Sequence, residues 1–160
     1  MRWVSQEIDM YLKSKEYIDT IVLPLLPVSF GSDIKQTASM SEFIIMLSNQ
    51  LERQFKGRLI MLPGYAYLKS LTEDKQVSDL KEWEKELISK EFKHVFYLTS
   101  DSSWKTYEND LTGTLIWLPS LPLEHLDEQS KASIIGDQVK QLLSLFTQKW
   151  KTDEANTSGQ

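Results

Sequence analysis

Three short apolar runs along the chain share one form: Ile21-Val22-Leu23-Pro24, Ile60-Met61-Leu62-Pro63 and Ile116-Trp117-Leu118-Pro119. Phe96-Tyr97-Leu98-Thr99 is a looser fourth copy. In each, apolar side chains follow one another without in–out alternation, the pattern of strands covered on both faces, as in parallel sheets. Proline has no N–H to give a central ladder, so each Leu-Pro is expected to close its strand. The irregular spacing of the runs marks similar strands rather than a repeated module.

Helical periodicity fills the intervals. Ser39-Met40-Ser41-Glu42 has capping-box spacing, and Ile44, Leu47, Leu51 and Phe55 follow on one face, with Gly57 as a stop. Ser78 is expected to cap a second helix with Leu80, Trp83 and Leu87 inward and Lys81, Glu82, Lys85 and Glu86 outward. Asp127 is expected to cap the last helix, whose stripe runs through Ala132, Ile135, Val139, Leu142, Leu143, Phe146 and Trp150. A shorter helix near 5–16, with Ile8, Tyr11 and Leu12 inward, opens the chain.

This alternation predicts an α/β fold: a three-layer sandwich with a small, mostly parallel four-stranded sheet flanked by about four helices. Residues 1–150 are expected to form a single domain. The stretch 151–160, with no apolar side chain larger than alanine, is expected to be disordered. Between the third and fourth strands lies Ser100 to Gly113, without a helical stripe. A compressed crossover there makes the fourth strand parallel; a long hairpin makes it antiparallel. The closing Leu118-Pro119, matching the earlier strand ends, favours parallel.

Composition narrows the chemistry. The chain has 160 residues, no cysteine and two histidines, which excludes disulfides, thiol catalysis, iron–sulfur clusters and cysteine-based zinc sites. With 18 basic against 23 acidic residues the net charge is −5, and no basic block exists to bind nucleic acid or an anionic membrane surface. No apolar run approaches a membrane span. The start Met1-Arg2-Trp3-Val4-Ser5-Gln6-Glu7 turns acidic where a secretory leader would be apolar. The expectation is a cytoplasmic protein without membrane span, metal or cofactor.

In open α/β sheets, ligands bind beyond the carboxyl ends of the strands. That rim would carry Ser29 and Ser32 after the first strand, and Gly64, Tyr65 and Tyr67 after the second. Asp101, Ser102 and Trp104 follow the third, and His125 the fourth. Hydroxyls, glycines, aromatics and a carboxylate suit a small polar ligand. Ordinary explanations stand beside each. Thr99-Ser100-Asp101-Ser102-Ser103 is common loop composition, because such side chains hydrogen-bond their own backbone. Phe30-Gly31-Ser32-Asp33 lacks the glycine pattern of a dinucleotide or P-loop site. Ser102 and Ser103 lack a nucleophile elbow. His125, among Glu124, Asp127 and Glu128, has no second ligand in view, and those carboxylates suit a helix N-terminus. Of the tryptophans, Trp83, Trp117 and Trp150 lie on apolar faces and read as core. Trp104, in a polar loop, is either an exposed contact or folded back over the sheet edge.

Arg2-Trp3 with Asp9-Met10-Tyr11, the run Tyr17-Ile18-Asp19-Thr20 and the stretch Leu62-Pro63-Gly64-Tyr65 resemble the YpiF-like family of uncharacterised proteins from spore-forming Gram-positive bacteria. That resemblance brings no assigned activity and no catalytic residues. Its gene placement, beside menaquinol–cytochrome c reductase genes, implies a respiratory-chain partner by association. Two functions remain open from the residues. One is a non-catalytic α/β module binding a protein partner or small polar ligand at the strand carboxyl ends. The alternative is an enzyme acting on a nucleotide-like or phosphorylated small molecule in the same crevice.

Overall fold

The apolar runs pair side by side, and every pairing is parallel. In the computed structural model, which describes residues 1–159, the central strand is β1 (Thr20–Val28). Around it lie β2 (Leu59–Met61), β3 (Tyr65–Leu68), β4 (His94–Thr99) and β5 (Thr114–Trp117). The order is β2-β1-β4-β5, with β3 also paired to β1. The expected parallel α/β fold is present, with a fifth strand, β3, beyond the four read from the runs. Ser100 to Gly113 is the compressed crossover: a 3-10 segment, Ser102–Asp110, carries the chain to a parallel β5.

Leu-Pro does not end β1, which continues through Pro24 and Pro27 to Val28. The register shows why this is tolerated. Residues 20–22 pair with β2 and residues 25–28 with β3, so Pro24 falls in the handover between two partners. Pro27 lies beyond Pro24, the last β1 residue in register with β4. A missing N–H costs least in such places.

The chain divides into two compact units, Met1–Leu123 and a second from Glu124 onward. Within the first, three layers are built from α1 (Ser5–Lys13), α2 (Ile34–Gln54) and α3 (Glu73–Ser89) around the sheet. One sheet face presents Ile21, Leu23, Leu25 and Tyr97 to a core shared with Leu80 and Leu87 of α3, and Ile8 and Tyr11 of α1 pack against it. The opposite face, with Val22 and Phe96, is closed by α2, which contacts β1, β2 and β4 and buries Phe43, Ile44, Leu47 and Leu51. Each such side chain contributes about 2 kcal/mol when fully buried. Leu12, expected inward, is exposed instead, and α1 buries no residue fully.

The capping signals at Ser39 and Ser78 lie inside helices rather than at their starts. α2 begins at Ile34, after a turn in which Ser29 and Gly31 are tied to the Asp33 carboxylate and the Ser29 hydroxyl. The Ser41 hydroxyl donates to the Pro27 carbonyl at 3.0 Å, a tertiary bond that occupies the side chain. α3 begins at Glu73, with its first turn carrying Glu73 and Asp74, as the helix dipole favours. At the amino end of the chain, Met61 N–H donates to the Met1 carbonyl at 2.7 Å, and the Met1 ammonium lies 3.3 Å from the buried Glu52 carboxylate.

The second unit is α4 (Glu128–Ser158) with its approach. Ser130 N–H donates to the Asp127 carboxylate at 2.7 Å, the predicted cap. Ile135, Val139, Leu142, Phe146 and Trp150 are buried at helical spacing, while Ala132 is exposed. Residues 151–158, expected to be disordered, continue the helix; Gln160 lies outside the described residues.

Candidate functional site

The strand order reverses at β1, which has β2 and β3 on one side and β4 on the other. The carboxyl ends of β1 and β4 therefore flank the switch point, the expected place for a ligand. What stands there is a closed network. Asp101, 2% exposed, follows β4. Its carboxylate accepts from Tyr67 Oη at 2.7 Å and from Ser103 N–H and Oγ at 3.1 and 2.8 Å. Lys69 Nζ lies 3.2 Å from both of its oxygens. Tyr67 Oη in turn accepts the Trp104 indole N–H at 2.8 Å, with the two rings edge to face at 5.4 Å. Thr99 Oγ1 accepts the Asp101 N–H at 2.9 Å.

Burial alone raises the pKa of Asp101, but the bonds from Tyr67 and Ser103 and the charge of Lys69 outweigh it and hold the carboxyl below its ordinary value. Burial and the same carboxylate push the Tyr67 hydroxyl well up, so it stays protonated and keeps donating. Trp104 is 3% exposed and belongs to this network; it folds back over the sheet and is not a surface contact. The alternation Tyr65-x-Tyr67-x-Lys69 on a short strand was the available signal for Lys69, which the sequence reading left out.

The other predicted residues scatter. Ser29 is held to Asp33 and Gly31. Ser32 and Ser102 are exposed. Gly64, at φ 128°, sits where an added Cβ would lie 2.7 Å from Leu26 Cδ1, a close approach only glycine allows. Tyr65 donates to Asp79 at 2.7 Å and stacks on Tyr67 at 5.8 Å. His125 belongs to the second unit, its side chain 88% exposed and 3.5 Å from Glu124. Asp101 and Trp104 are brought together, with Tyr65 beside them through Tyr67.

A second feature was not anticipated. Between α1, α3 and the β1–β2 side of the sheet opens a groove of about 830 Å³. Its floor is Ile21, Ile60 and Leu62, and its walls include Ile8 and Tyr11 of α1 and Leu87 of α3. Tyr11 stacks on Phe92 at 5.8 Å. Trp3 and Trp83 stand on its lip, 56% and 42% exposed, so Trp83 is a surface residue rather than core. The reason is angular. α3 turns Val77, Leu80, Glu84 and Leu87 inward at spacings of three and four, leaving Trp83 to one side. Gly64 also lines the groove. Asp79, Glu82 and Glu86 continue along α3 beside Tyr65 and Trp83.

A buried carboxylate network at the switch point and an open apolar groove on one flank define a small parallel α/β protein without a recognisable catalytic array. The chain belongs to the DUF2487 family of proteins of unknown function, whose pattern matches residues 9–150. It is 40% identical over 152 residues to a Bacillus subtilis (strain 168) protein called uncharacterized protein YpiF, covering 95% of this chain and 99% of that one. The resemblance drawn from the sequence is borne out. No solved structure matches the chain. Among the described residues, no helix is long and apolar enough to cross a membrane.

Proposed function

We propose that this protein is a non-catalytic binding module of the cytoplasm whose contact surface is the groove between α1 and α3. The observation that carries the proposal is the groove itself: about 830 Å³, apolar in floor and walls, with Trp3 and Trp83 exposed on its lip. Sites of this size that are mostly apolar with a few polar groups at the edge are the common form of a binding pocket. Exposed tryptophans at such an edge are the side chains most often found to anchor a partner. The enzyme alternative at the switch point has less support. Asp101 already accepts hydrogen bonds on both oxygens from within the fold, and a general base needs a free acceptor facing substrate.

The test uses an uncharged apolar fluorophore, N-phenyl-1-naphthylamine. Titrated into the folded protein, it is expected to brighten with a micromolar Kd. Trp83→Ala is expected to weaken it roughly tenfold while shifting unfolding stability by only about 0.5 kcal/mol, because the side chain is substantially exposed. Absence of saturable binding, or equal binding by the variant, contradicts the proposal.

A further inference from the structure

We infer that the occupant of the groove is an amphipathic helical segment of a partner protein carrying lysine or arginine along one flank; this rests on the groove being the binding surface. The carrying observation is the arrangement of charge beside the groove. Asp79, Glu82 and Glu86 follow at spacings of three and four on α3, together with Trp83, so they form one row along the apolar opening. Tyr65 occupies one oxygen of Asp79. Glu82 and Glu86 stand on exposed positions of the helix.

Length and polarity argue for a polypeptide rather than a compact ligand. The α3 wall from Asp79 to Ser89 spans about 15 Å at 1.5 Å per residue, three turns of a partner helix. A helix lying alongside presents side chains every three or four residues, the same repeat as the carboxylate row. Its apolar face would meet Ile8, Tyr11, Leu87 and the two lip tryptophans, the helix-in-groove mode of recognition. At the opposite end the charge changes sign: Lys15, whose ammonium lies 6.0 Å from the centre of the Tyr11 ring, and Lys90 both line the groove there. Glu91 lies beside them. The cationic flank of the partner therefore belongs at the Asp79–Glu86 end.

The experiment is a competition on the full-length chain with bound N-phenyl-1-naphthylamine. The competitors are a short helical peptide of leucine and lysine and its leucine–glutamate counterpart. The lysine peptide is expected to displace the dye, and raising NaCl from low to near-molar levels is expected to weaken it roughly tenfold. The double variant Glu82→Gln, Glu86→Gln is expected to lose about tenfold in affinity for this peptide while binding the dye unchanged. The glutamate peptide is expected not to compete. If both peptides compete equally, or the double variant binds the lysine peptide as the parent does, the inference is overturned and the groove stands as an apolar site. If neither peptide displaces a dye that still binds, the occupant is a small apolar molecule and the inference is likewise overturned. If the dye itself never binds, the groove reading falls with it.

Discussion

Asp101→Asn is expected to lower the stability of the protein by about 2–4 kcal/mol at neutral pH. Asparagine keeps the shape but loses the charge and one acceptor oxygen. It cannot satisfy Tyr67 Oη, both Ser103 donors and Lys69 together. Hydrogen bonds to a buried charge are worth about 1.5–3 kcal/mol each, and a donor left without a partner costs its desolvation. The effect has a sign in pH. The Asp101 carboxyl is held below its ordinary value of 3.8 in the folded protein. Its contribution is therefore fully present above about pH 4 and is lost as pH falls through the folded value. Urea unfolding followed from pH 7 downward is expected to show the parent losing stability toward the variant below pH 4. A constant difference between the two across that range contradicts the assignment.

Glu84→Ala is expected to cost about 3–5 kcal/mol. Glu84 is buried on the inward face of α3. Its two oxygens accept the Thr112 and Gly113 backbone N–H groups at 3.1 and 2.6 Å, holding the turn that enters β5. The turn sits so close that a Cβ at Gly113 would lie 2.8 Å from both the Val95 carbonyl and the Tyr97 ring. Burial and the Glu84 carboxylate together push the Tyr97 hydroxyl up, so that group remains neutral. Removing the carboxylate strands two amide donors and leaves a cavity between helix and sheet. Hydrogen exchange is the specific readout: the Thr112 and Gly113 amides are expected to lose protection in Glu84→Gln before the rest of the sheet does. Unchanged exchange at those two amides would remove Glu84 from this role.

The legible part of the fold was the part written locally. Continuous apolar runs mark β1, β2, β4 and β5, and their parallel pairing follows from cover on both faces. β3 escaped because Tyr65-Ala66-Tyr67-Leu68 is short and partly exposed, with only Tyr67 buried. Helix starts at Ser39 and Ser78 were misplaced because local capping chemistry was overruled by longer contacts, such as Ser41 with Pro27. At the carboxyl-end rim, Asp101 was found by loop composition, but its role depends on Tyr67 and Lys69, more than thirty residues away in the chain. Glu84 had a weak signal: one charge set between Leu80 and Leu87 on an otherwise apolar face. The groove had none, since its walls come from α1 and α3, elements that meet only through the sheet.

The five tryptophans supply the most direct test of the groove as the contact surface. In a ¹H–¹⁵N spectrum each contributes one indole N–H signal, and two of these donors report on the switch-point end of the sheet. Trp104 donates to Tyr67 Oη, and Trp117 donates to the Ser100 carbonyl at 3.2 Å. On titration with N-phenyl-1-naphthylamine, the Trp3 and Trp83 indole signals are expected to move in a saturable way while those of Trp104 and Trp117 stay in place. Movement of Trp104 and Trp117 with Trp3 and Trp83 unmoved would put the ligand at the strand ends and contradict the account.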